Sequence, residues 1–125
     1  MQITNMQLVQ IKPFIDKVGN NKPLEPHRLA VKVWVRKMNA VYQEQIQRRV
    51  DDINISANEL MQNATQEEKE QHEKDRVSAL NDLNESIKTE VIDIPQFKKE
   101  WYAVENLTTN EEIMYLDVLC PESDI

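Results

Sequence analysis

The chain is poor in glycine, cysteine and long apolar runs. A single glycine in 125 residues, Gly19, excludes the glycine-rich loops that cradle phosphates and most glycine-dependent hairpins. It also favours helices, whose interiors avoid glycine for entropic reasons. A single cysteine, Cys120, excludes an internal disulfide and a four-cysteine zinc site. No apolar stretch approaches the ~20 residues that a membrane-spanning helix needs. The opening MQITNMQLVQIKPFIDK lacks a basic start followed by a continuous apolar segment, so neither export nor membrane insertion is expected.

What is present is charge, unevenly divided. Residues 1–50 carry nine Lys/Arg and three Asp/Glu, a formal +6, whereas residues 51–125 carry six and nineteen, a formal −13. Such a division steers charged partners or favours head-to-tail contact between copies; it also arises where two neighbouring surfaces attract each other. The length fits one domain over residues 1–125.

The apolar spacing predicts a mainly α fold. A first helix is expected from about Asn5 to Val18. Thr4 and Gln7 form a capping box at its start, and Leu8, Ile11, Ile15 and Val18 recur at helical steps. Gly19 suits the position just past its end, and Pro13 should kink or split it. In RLAVKVWVRKM, Val31, Val33 and Val35 alternate as in a strand. The longer window is helical: from Val31 through Trp34, Met38, Tyr42, Ile46, Val50, Ile53, Ala57 and Leu60 to Ala64 the steps average ~3.67 residues. This predicts a long helix over 26–62.

Thr65 and Glu68 form a second capping box, so a turn is expected at Asn63–Thr65, with one unbroken helix as the alternative. Val77, Leu80, Leu83 and Ile87 then continue a second long helix, antiparallel to the first. TEVIDIP breaks the pattern and predicts a short extended segment near 90–94. Phe97 and Trp101 share a face in a following helical turn. Thr109 and Glu112 open a terminal helix whose face carries Ile113, Leu116 and Cys120, and which docks on the rest of the fold. The architecture expected is a long antiparallel helical hairpin with a short N-terminal helix and a docked C-terminal helix.

Chemistry is sparse. His27, His72 and Cys120 are scattered, and Glu68 with His72 reads as a solvated helix face rather than a metal site. No serine sits in a strained elbow, and Cys120 reads as a small core residue. The adjacent acids Asp51/Asp52, Glu67/Glu68 and Glu111/Glu112 point apart on a helix and make no carboxylate pair. No catalytic, cofactor-binding or metal residues are expected.

Charged and aromatic surfaces are the remaining candidates. Arg28, Lys32 and Arg36 step along one face, with Arg48 and Arg49 further on, in position for phosphates or an acidic protein. The acidic total argues against nucleic acid. Glu67, Glu68, Glu70 and Glu73 present the opposite charge and suit a partner's basic groove. Trp34, Tyr42, Phe97, Trp101 and Tyr115 read as core. Trp101 and Tyr102, if exposed together, become interface anchors.

The phrases ITNMQLVQIKPFIDKV, KPLEPHRLAVKVWVRKMNAV, LNDLNESIKTEVIDIPQF and LTTNEEIMYLDVL, in that order, resemble a family of short uncharacterised proteins encoded by phages and prophages of Gram-positive bacteria. Pro13 and the acidic stretch 66–75 depart from the family's usual pattern. The resemblance supplies no site residues. It implies action in the cytoplasm of an infected cell or in the particle. The expectation is a non-enzymatic phage accessory protein that binds a host or phage protein, a host defence factor included. The alternatives are a self-associating virion or tail-assembly component and a nucleic-acid-binding regulator.

Overall fold

The computed structural model describes residues 1–20, 27–101, 115 and 118–120. The elements run β1 (Gln2–Thr4), α1 (Asn5–Asn20), α2 (Arg28–Tyr42), a π-helical turn (Gln43–Gln47), α3 (Arg48–Met61), α4 (Gln66–Ile87), β2 (Val91–Asp93) and a 3-10 turn (Lys99–Trp101). The fold is mainly α, as the spacing predicts, with one two-stranded sheet. The alternating valines of RLAVKVWVRKM lie in α2, not in a strand.

The capping box at the start of α1 forms in both directions. Gln7 N–H donates to Thr4 Oγ1 (3.1 Å) and Thr4 N–H to Gln7 Oε1 (2.9 Å). Leu8, Ile11, Phe14, Ile15 and Val18 are then buried on one face. Burial of each such side chain stabilises by about 1.5–3 kcal/mol. That sum exceeds the ~3 kcal/mol cost of an internal proline. The helix is not split at Pro13: α1 runs unbroken to Asn20, with Pro13 on its exposed side.

Gly19 also differs from expectation. It lies inside α1 rather than beyond it, and no glycine has a positive φ. Its role is close approach, since a Cβ at Gly19 would sit 3.1 Å from Val35 Cγ1 on α2. The missing side chain lets the two helices come together.

β1 and β2 pair antiparallel, with Gln2 opposite Asp93, Ile3 opposite Ile92 and Thr4 opposite Val91. Ile94 N–H donates to Met1 O (2.8 Å) and Asn5 N–H to Glu90 O (2.9 Å), extending the ladder at both ends. Residues 91–93 are extended, as predicted, because a neighbouring strand exists to receive them.

The core gathers where α1, α2 and the segment after β2 meet. Trp34 Nε1–H donates to Pro95 O (3.1 Å), which lets the indole be buried without an unpaired donor. Phe97 lies edge-on to Phe14, Trp34 and Trp101, with centroids 5.6, 4.8 and 5.3 Å away. Tyr115 lies 6.1 Å from Phe14. Leu119 and Cys120 are buried, and Cys120 Sγ–H donates to Phe97 O (3.0 Å). The C-terminal segment thus docks on the α1–α2 end of the molecule. Its expected capping box, Ile113 and Leu116 lie outside the described residues, as do the connector 21–26 and Tyr102.

Beyond this body, α3 and α4 form a two-helix arm. Gln62 is extended, Asn63 adopts φ 62°, and Glu68 N–H donates to Thr65 Oγ1 (3.2 Å). The turn therefore falls at Asn63–Thr65, and the alternative of one continuous helix is excluded. The arm's seam is narrow. Ala57 is the buried residue of α3 and Ile87 that of α4.

Candidate protein-binding arm and its anchor

The arm joins the body at a polar junction. The π-turn carries Arg48 N–H to Gln43 O, five residues back, which inserts one residue into the helical spiral. Upstream, Val31, Trp34 and Met38 are buried in the body; downstream, the seam of α3 turns to α4.

Three separate segments meet at that turn. Arg49 donates to Glu90 through Nη1 (2.7 Å to Oε1) and Nη2 (2.9 Å to Oε2), a two-pronged ion pair. Arg49 Nη1 also donates to Gln45 O (3.2 Å). Asn5, 1 % exposed at the start of α1, donates from Nδ2 to Glu90 Oε1 (2.8 Å) and Gln45 Oε1 (3.1 Å). The Arg49 guanidinium, then Asn5, hold the Glu90 carboxyl below its ordinary pKa. Glu90 in turn raises that of Arg49. Arg49 is thus committed to the junction. Arg48 beside it is exposed, and Lys32 and Arg36 are exposed on α2, while Arg28 is half-buried. Of the five basic residues singled out by spacing, Arg28, Lys32 and Arg36 lie on α2 and Arg48 and Arg49 on α3, with Arg49 bound to Glu90.

The four acids Glu67, Glu68, Glu70 and Glu73 all lie exposed on the first turns of α4. Glu73 is bound by Arg76, through Nε (3.0 Å to Oε2) and Nη2, which lowers the Glu73 pKa. Arg76 also donates to Asn54 Oδ1 across the seam (3.2 Å). The remaining acids stand on a longer acidic element. The arm, residues 48–87, holds ten Asp/Glu against five Lys/Arg, a net −5, and the rest of the chain carries −2. The arm therefore carries most of the chain's formal charge of −7.

One face of the arm is apolar between those acids. Ile53, Ala57 and Leu60 of α3 and Ala79 of α4 line a groove of about 360 Å³ flanked by Asp52 and Asp75. Leu60 is 59 % exposed there. Sequence reasoning placed Leu60 and Ala57 in one continuous stripe. It did not identify the groove, because the lining comes from two helices whose phases are set by the π-turn and the Asn63 turn.

Trp101 is half-buried against Phe97. With Leu29, Val33, Trp34 and Pro95 it lines a second cavity, of about 570 Å³, on the body. Among the described residues no group of three or more His, Cys, Asp or Glu is placed to hold a metal ion, and no helix is long and apolar enough to cross a membrane. Comparison with protein-family models, with curated proteins and with solved structures gave no match.

Proposed function

We propose that this chain is a non-enzymatic protein-binding module whose contact element is the acidic α3–α4 arm. The observation that carries the reading is the concentration of a net −5, out of the chain's −7, on an element with few buried side chains. An arm built for stability alone would spend its surface on packing or balance its charge. This one presents unbalanced charge, which raises association rates and selects a basic partner surface. The resemblance to short phage-encoded proteins is what suggests a partner in an infected Gram-positive cell, and inhibition of a host defence factor is the most specific form of this reading.

The test is capture of partners from phage-infected cells by the tagged chain, read by mass spectrometry. A second bait carries Glu67→Lys, Glu68→Lys, Glu70→Lys and Asp75→Lys. A stoichiometric protein held by the first bait and lost by the second is expected. Identical captures with both baits would sink the reading.

A second reading is a self-associating particle component. It draws on Leu29, 75 % exposed, and Val33 on α2, beside exposed Lys32, Arg36 and Lys37. That basic, partly apolar face complements the acidic arm of another copy. This reading expects a salt-sensitive oligomer in sedimentation equilibrium.

A further inference from the structure

From the shape and charge of the arm groove we infer that it is a docking site for one basic amphipathic helix of a partner protein. The inference rests on the binding-module reading above and specifies what the arm binds.

The groove has a floor and two rims of different chemistry. Its apolar lining is Ile53, Ala57, Leu60 and Ala79, with Ser56 and the half-buried His72 beside them. Small side chains at 57 and 79 let another backbone approach closely, while Ile53 and Leu60 supply apolar area. Asp52 of α3 and Asp75 of α4 line the groove, and further acids lie seven residues from them along the same helices, a spacing that keeps residues on one helix face. Asp52 and Glu59 follow each other along α3; Glu68, Asp75 and Asp82 do so along α4. All five are exposed.

Asp75 accepts only a neutral partner in its recorded contact, Gln71 Nε2 at 3.0 Å, so its charge stays available. Arg76 also lines the groove, but its guanidinium is bound to Glu73 and Asn54. An apolar floor between two anionic rows is the complement of a helix with an apolar stripe flanked by Lys and Arg.

Length sets the size of the occupant. α3 has 14 residues, or ~21 Å at 1.5 Å per residue. A partner helix of about four turns covers it and converts the two-helix arm into a three-helix bundle. An acidic or uniformly apolar helix lacks the charge complement, and nucleic acid is repelled by both rims.

The experiment uses the full chain and three synthetic helical peptides of about 14 residues. One has an apolar stripe flanked by Lys. One keeps the stripe with Glu in place of Lys. One has the composition of the first in scrambled order. Fluorescence anisotropy gives affinities, and amide shifts locate the site. The first peptide should bind at least ~10-fold more tightly than the others, with shifts at Ala57 and Ala79. Ser56→Arg, at an exposed position lining the groove, should weaken it by a similar factor.

A second variant guards against misfolding. Asp52→Lys, Glu59→Lys, Asp75→Lys and Asp82→Lys together should switch preference to the Glu peptide, which only a folded groove can do. Equal affinity for all three peptides, or shifts outside the groove, overturns the inference. So does concentration-dependent dimerisation abolished by Ser56→Arg, which identifies a second copy as the occupant. Should the Lys peptide fail while arm-dependent capture persists, the groove assignment falls and the binding-module reading stands. Should capture ignore the arm, the reading itself falls.

Discussion

The junction of Asn5, Gln45, Arg49 and Glu90 determines how firmly the arm is held to the body, and its strength can be worked out. Arg49 and Glu90 have side chains 34 % and 35 % exposed. Fully exposed pairs contribute about 0.2–1 kcal/mol, and breaking a fully buried pair costs about 3–5 kcal/mol. The half-exposed, two-pronged geometry lies between these, so a coupling of about 1.5 kcal/mol is expected after solvent screening. A double-mutant cycle with Arg49→Met and Glu90→Gln, read by urea denaturation, measures it. Each single variant should melt about 5 °C below the parent.

The pH dependence follows from the direction of the shift. Glu90 has its pKa lowered in the folded chain, from an ordinary value of 4.5. The stabilisation it contributes is then complete above about 4.5 and is lost as pH falls through the lower, folded value. The gap between parent and Glu90→Gln should therefore be constant at neutral pH and narrow below 4.5. A coupling under about 0.5 kcal/mol, or a gap unchanged down to pH 2.5, would refute the ion-pair account.

Two further outcomes test the helix geometry. Deleting Glu44, an exposed residue of the π-turn, should restore an ordinary α-helix and rotate α3 by ~100° relative to α2. The Arg49–Glu90 coupling should then vanish from the same double-mutant cycle, and a retained coupling would show that the turn does not set the arm's direction. Gly19→Ala should be near neutral in the parent, since helix propensity gains about 1 kcal/mol while the new Cβ crowds Val35. In a Val35→Ala background the same change should stabilise by about 0.5–1 kcal/mol, and equal effects in both backgrounds would remove close approach as the reason for glycine.

What the sequence reveals about this fold depends on how far each signal reaches. The Thr4–Gln7 box forms in both directions, and at Thr65–Glu68 the capping half forms, Thr65 Oγ1 accepting from Glu68 N–H. The extended segment 91–93 is legible from Pro95 and its β-branched neighbours, although its partner β1 is not. Pro13 and Gly19 mislead for one physical reason. Both carry strong local preferences, and in both the packing of α1 against the core and α2 decides the outcome. The junction is silent in the sequence, because Asn5 and Glu90 are 85 residues apart and no periodic pattern marks a π-turn.

The charge division shows the same limit in functional terms. Counted by halves, the chain looks like a basic partner joined to an acidic one. By elements, the α3–α4 arm carries −5 and the rest of the chain −2. The cluster Glu67–Glu73 is visible as a run. Asp52 and Asp75 come to line one groove only because α3 turns back at Asn63 beside α4. A linear scan for charge finds the acidic element. The groove, lined from two helices, exists only in the hairpin.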